Sequence, residues 1–258
     1  MRIRRWLVVA SAGLAALGGL GLTSMDRASS TPISSSDSRT AGTVSASTVA
    51  EDTTSVVLPT PAVTIMALGD SLTDGYMVPG GYRTALAGDL AVAGAEVDFV
   101  GSLSSGPTEL TETDHEGHDG WRIDQIAAIA TDRLLRYQPD VVLLMIGTND
   151  LVQDDAVATA PDRLAALIDQ ITTTLPGTEV LVATIPTMAD PVLAARVDAY
   201  DAALPTVVAR ADARGEAVEL VDIHDAVTVD QLADGIHPDA AGYAAMANAW
   251  FEALQLTG

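Results

Sequence analysis

From Val63 onward the chain alternates short apolar runs with longer amphipathic segments, and this alternation constrains the fold more than any other feature. Strands are expected at Val63 to Leu68, Glu96 to Val100, Val141 to Ile146, Glu179 to Ile185 and Ala217 to Ile223. Helices are expected at Tyr82 to Ala93, Ile123 to Tyr137, Pro161 to Leu175, Pro191 to Arg214 and Asp239 to Leu256. Pro161 suits a first helical turn, Gly177 and Gly215 suit helix exits, and Pro205 should kink or split its helix. Strict strand and helix alternation implies a parallel sheet covered on both faces. The expected architecture is a three-layer α/β/α sandwich around a five-stranded parallel sheet, flavodoxin-like, with strand order 2-1-3-4-5.

Upstream of this region the composition changes. Arg2, Arg4 and Arg5 precede an uncharged run from Trp6 to Thr23 made mostly of Ala, Leu, Gly and Val, the order of a secretory signal. Thr23, Ser24 and Met25 lie near the expected cleavage point without a clear Ala-x-Ala, so an uncleaved membrane anchor is the alternative. Residues 27–60 are dominated by Ser, Thr, Ala and Asp and have no apolar periodicity, which reads as a disordered linker. The expected layout is therefore a signal or anchor over 1–26, a linker over 27–60 and one folded domain over 61–258, delivered outside the cell.

Residues 61–258 hold 8 arginines and no lysine against 31 acidic residues, an excess of 23 negative charges. Such a field repels nucleic acid and anionic lipid, and it suits either neutral substrates or plain solubility. The chain has no cysteine, which removes disulfides, thiolate metal sites and a cysteine nucleophile from consideration.

Within the alternating region, reactive residues follow the ends of strands, where open α/β sheets collect their chemistry. Ser71 follows the first strand, Gly120 lies in the long connection after the second, Asn149 follows the third and His237 follows the fifth. A serine hydroxyl needs a neutral imidazole to take its proton as it attacks. His237 is the leading candidate of four histidines: Pro238 fixes its backbone, and Asp234 three residues earlier can hold the other ring nitrogen. Asp234 and His237 acting only as caps of the last helix is the structural alternative. The backbone N–H groups of Ser71 and Gly120 and the amide of Asn149 are candidate donors to an oxyanion, with plain turn or capping roles for Gly120 and Asn149 as alternatives. Asp150 reads as a loop brace.

Four stretches together resemble a known superfamily. GDSL at 69–72, the glycine of HDGWRIDQI at Gly120, GTND at 147–150 and DGIHP at 234–238 look like the four blocks of the SGNH (GDSL-type) hydrolases, in the right order. The resemblance implies Ser71 as nucleophile, His237 as base, Asp234 as its orienting acid, and Ser71, Gly120 and Asn149 as the oxyanion hole, with no metal or organic cofactor. DHEGHDGWRIDQI at 114–126 is similar to the second block of acetyl xylan esterases of carbohydrate esterase family three, which implies deacetylation of polysaccharide. The expected function is a secreted serine esterase of small acyl esters, acetyl above all. A lysophospholipase or thioesterase and a non-catalytic glycan-binding module are the alternatives.

Other residues are weighed beside these. His115 and His118, three apart with Glu116 between them, read as braces of a long loop, with a substrate contact as the alternative. His224 ends the fifth strand and ranks second as base. Asp70, Tyr76 and Trp121 are candidates for lining the substrate pocket, Trp121 as a sugar-stacking face or a core anchor. The expected assembly is a monomer.

Overall fold

The computed structural model describes residues 61–256. The signal or anchor and the Ser/Thr-rich linker fall outside the described residues. Strand β1 (Val63–Gly69) is the centre of the sheet, and five of its seven residues are buried because neighbours flank both edges and helices cover both faces. On one edge it pairs in parallel with β5 (Val141–Met145), all of whose residues are buried, and β5 is followed by β6 (Glu179–Ala183) and β7 (Val218–Val221). On the other edge its first half pairs with β2 (Val97–Phe99). These five parallel strands lie in the order β2-β1-β5-β6-β7, which is the expected 2-1-3-4-5 topology.

The sheet is larger than the expected five strands. The long connection after β2 folds into β3 (Leu103–Ser104) and β4 (Asp114–Gly117), an antiparallel pair, and β4 then runs parallel to the second half of β1 with Leu68 opposite Glu116 and Gly69 opposite Gly117. His115 therefore sits on a strand rather than in a loop, and His118 directly follows it. The segment carries no apolar alternation because the buried side chains of β4, His115 and Glu116, are satisfied by polar partners.

Helices α2 (Gly81–Val92) and α8 (Ala240–Leu256) pack together, and α3 (Ile123–Tyr137), α5 (Ala160–Thr174) and α7 (Leu204–Ala213) form a second packed set. Right-handed crossovers around a sheet of this order put the two sets on opposite faces. The expected long helix is split into α6 (Pro191–Asp201) and α7, with Pro205 in the first turn of α7, where its missing N–H costs no helical bond. Two short helices, α1 (Ser71–Asp74) and α4 (Thr148–Val152), start at the carboxyl ends of β1 and β5. Strand order, not strand direction, reverses between these two parallel strands, and the crevice there is the fold's natural binding position.

Candidate active site

The first strand ends at Gly69, where a Cβ would collide with the Met145 carbonyl of β5. The missing side chain lets β5 and the Thr73 hydroxyl approach closely there, and Asp70 caps α1 by accepting the Leu72 N–H at 3.0 Å. Gly75 closes α1 in the left-handed region at φ 95°. Ser71 is thus the first residue of a one-turn helix at the sheet rim. Its Oγ lies 3.0 Å from His237 Nε2.

His237 arrives from the opposite end of the chain, just before α8. Asp234 organises its loop: Oδ1 accepts the N–H groups of Ile236 and His237, and Oδ2 lies 2.8 Å from His237 Nδ1. A carboxylate only accepts, so Nδ1 carries the proton and Nε2 is left to receive one from Ser71. Burial pushes the Asp234 carboxyl upward, but the hydrogen bonds from His237 and Ile236 and the electrostatic attraction of the His237 ring outweigh it and the net shift is downward. It stays an acceptor at neutral pH. The cap of α8 is a different residue, Asp239, whose carboxylate accepts the Ala241 and Gly242 N–H groups.

Three donors expected at an oxyanion gather around the same crevice. Gly120 follows β4 and lies in the left-handed region at φ 74°, with open space where a Cβ would stand. Asn149 lies in the first turn of α4 and gives one amide hydrogen to the Trp121 carbonyl at 3.0 Å, which fixes its orientation and leaves the second hydrogen. Gln153 Nε2 donates to the Gly120 carbonyl at 2.9 Å, holding the backbone that follows Gly120. Asp150 braces the pair from beneath, accepting the Ile123 N–H at 3.1 Å and Arg163 Nη2 at 2.6 Å.

Asp70 does not line a pocket as expected. It is fully buried beneath α1, because its carboxylate is needed inside as the cap. Its Oδ2 has no hydrogen-bond partner, and although the Leu72 N–H and the nearby Thr148 hydroxyl favour the charged form, burial dominates and raises its pKa to about 7. Tyr76 is exposed, with its ring centroid 4.6 Å from that of His237, and Met77 beside it is exposed with a φ of 71°. Trp121 is half-buried against the core and stacks on His118, centroids 4.1 Å apart and planes 16° from parallel.

The remaining histidines are held by other partners. His115 is buried, takes the Gly117 N–H on Nδ1 and faces the Ser105 hydroxyl at 2.8 Å from Nε2; desolvation lowers its pKa to about 3, so the ring is neutral. His118 Nε2 donates to Glu116, which also receives Ser102 and pairs with Arg133. His224 Nδ1 pairs with Asp201 at 3.1 Å and its Nε2 faces Asp198, both on α6, whereas the imidazole that meets Ser71 is that of His237. Sequence reasoning passed over Arg83, a buried arginine behind α1, because in the sequence it is one charge on an amphipathic helix. Among the described residues no group of three or more His, Cys, Asp or Glu side chains is arranged to hold a metal ion.

With this geometry in place, comparison with known proteins decides the lineage. Residues 67–245 match the model of the GDSL-like lipase/acylhydrolase family. The chain belongs to that family, a family of esterases. It is 30% identical over 219 residues, 75% of its length, to a multidomain esterase of Ruminococcus flavefaciens, and it spans 28% of the length of that protein. Its fold matches a family 3 carbohydrate esterase of Clostridium thermocellum at TM-score 0.69 and 36% identity, covering 77% of this chain and 100% of that one. A mutant acetyl esterase solved with an acetate ion matches at TM-score 0.68 and 26% identity, over 76% and 98% of the two chains.

Proposed function

We propose that this GDSL-family chain is a secreted serine esterase that removes small acyl groups, acetyl in particular, through an acyl-enzyme on Ser71. The observation that carries the reading is the unbroken line from Ser71 Oγ to His237 Nε2 at 3.0 Å and from His237 Nδ1 to Asp234 Oδ2 at 2.8 Å. As Ser71 attacks the ester carbonyl, His237 takes its proton, and the Asp234 carboxylate stabilises the imidazolium that forms. The charge developing on the carbonyl oxygen is met by the N–H groups of Ser71 and Gly120 and the free amide hydrogen of Asn149. Collapse expels the alcohol, which takes the proton back from His237. Water then attacks the acyl carbonyl as His237 accepts its proton, and the second collapse releases the acid and returns that proton from His237 to Ser71 Oγ.

The acetyl preference and an acetylated sugar as the alcohol are supported by the similarity to the carbohydrate esterase and the acetyl esterase. An open site agrees with a bulky alcohol: Tyr76 beside His237 is 46% exposed. Export is supported by the Arg2 to Thr23 pattern.

Ser71→Ala should lower p-nitrophenyl acetate hydrolysis by about 10³-fold or more while leaving the melting curve unchanged. A panel of p-nitrophenyl esters of rising chain length, run beside acetylated xylan, should peak at acetyl. Retained activity in Ser71→Ala removes the serine from its role, and a preference for long acyl chains replaces the acetyl reading with a lysophospholipase or thioesterase one.

A further inference from the structure

The guanidinium of Arg83 lies behind the nucleophile turn, 0% exposed, on helix α2. Its Nε donates to the Thr73 carbonyl at 3.0 Å and its Nη2 to the Asp74 carbonyl at 3.0 Å, the last two carbonyls of α1. The same group reaches the β3–β4 hairpin, donating to the Ser105 carbonyl and hydroxyl at 3.1 Å each and to the Thr113 carbonyl at 3.1 Å. None of these five acceptors is a carboxylate. A buried charge spent wholly on main-chain carbonyls and one hydroxyl is costly as core filling, since an apolar side chain of similar length would occupy the space without desolvating a cation.

The two segments it joins are the ones that present Ser71 and Gly120. Ser71 opens α1, and Gly120 follows β4 by three residues. The segments also touch directly: a Cβ at Gly117 would collide with the Asp74 backbone nitrogen, and the His118 N–H donates to the Gly69 carbonyl at 3.0 Å. A second tie runs from His115 Nε2 to Ser105 Oγ and on to Asp74 Oδ1. We propose that Arg83 is a positioning residue for catalysis, clamping the Ser71 turn to the β3–β4 hairpin and thereby setting the spacing of the Ser71 and Gly120 N–H donors. The inference rests on the reading of those two groups as oxyanion donors. A planar fork reaches carbonyls in both segments at once, whereas a lysine ammonium at that position does not.

The experiment compares Arg83→Gln and Arg83→Lys with the parent chain, after circular dichroism has shown each variant folded at the assay temperature. Displacing a donor by a fraction of an ångström to an ångström costs up to about 10²-fold, so kcat for p-nitrophenyl acetate should fall by about 10- to 100-fold with KM changed less than about threefold. A small alkylboronic acid, which forms a tetrahedral adduct with the serine and places an oxygen among the donors, should lose affinity by the same factor as kcat/KM. A folded Arg83→Gln with kcat within about threefold of the parent overturns the proposal, as does a fall in kcat with boronate affinity unchanged. If Arg83→Gln does not fold, Ser105→Ala carries the test. It removes one acceptor and the tether to Asp74, and it must weaken kcat and boronate binding together or the proposal fails. Activity surviving in Ser71→Ala would instead bring down the underlying serine reading, so the two failures are separable.

Discussion

Asp234 shows how one short side chain can decide both a loop and a tautomer. One of its oxygens holds two backbone N–H groups and the other holds the His237 ring. Asp234→Asn keeps the backbone bonds through its amide oxygen but can turn an N–H toward Nδ1, which favours the wrong tautomer. Its kcat should fall by about 10²- to 10⁴-fold with stability changed by less than about 1 kcal/mol, measured by steady-state kinetics and thermal melting. Asp70 poses the opposite problem, a buried acid with one unpartnered oxygen and a pKa raised to about 7. Because its folded pKa lies above the unfolded value of 3.8, its favourable contribution is complete below pH 3.8 and is lost as pH rises through 7. Asp70→Asn keeps the cap and removes the buried charge, so its stabilisation over the parent should be larger at pH 8.5 than at pH 5, by up to about 2–4 kcal/mol in denaturant titrations. An equal difference at the two pH values would contradict a buried, titrating Asp70. That Ser71, His237 and Asp234 would meet was legible in the sequence, because the roles proposed for them demand particular residue types at a strand end or loop. The burial of Asp70 was not, since an acid beside a nucleophile reads equally well as a pocket wall or a cap until the turn is seen to fold over it.

The elements that sequence periodicity placed most clearly are those whose stabilisation is apolar: β1, β5 and β6 are runs of buried side chains, and α3 and α5 each bury a regularly spaced apolar face. The β3–β4 hairpin escaped because polar bonds hold it. His115 and Glu116 are buried through Ser105, Gly117, Ser102 and Arg133, contacts that leave no periodic trace. This hairpin carries the approach to Gly120, so its register against β1 matters to the chemistry. Gly117 faces the Asp74 backbone too closely for any Cβ. Gly117→Ala should therefore push β4 from α1, lowering kcat by about tenfold or more and stability by about 1–3 kcal/mol. An activity equal to the parent would show that the two elements are not rigidly coupled.

Across the whole catalytic region, 31 acidic residues face 8 arginines and no lysine, and the fold tolerates the repulsion rather than exploiting it for stability. Salt screens such a field with a Debye length of about 10 Å at 0.1 M, so the melting temperature should rise between about 10 mM and 0.5 M sodium chloride while kcat/KM for a neutral ester changes little. A melting temperature that falls with salt would mean that attractive pairs such as Arg163 with Asp150 outweigh the net repulsion. The topology was legible at this scale because strand and helix alternation with short connections leaves few arrangements open, and the 2-1-3-4-5 order places β1 and β5 side by side at the reversal point. Helix α8, packed on α2 and tied by Tyr243 to the Tyr76 carbonyl, then brings His237 to Ser71, 166 residues away in the chain. The central claim is that this meeting produces a covalent acyl-serine, and the most direct measurement is acid quench of the enzyme during p-nitrophenyl acetate turnover followed by peptide mass spectrometry. The account predicts one acetyl group on the peptide containing Ser71, absent in Ser71→Ala. Active enzyme with no acetyl on Ser71 at any quench time, or with the acetyl on another residue, would contradict it.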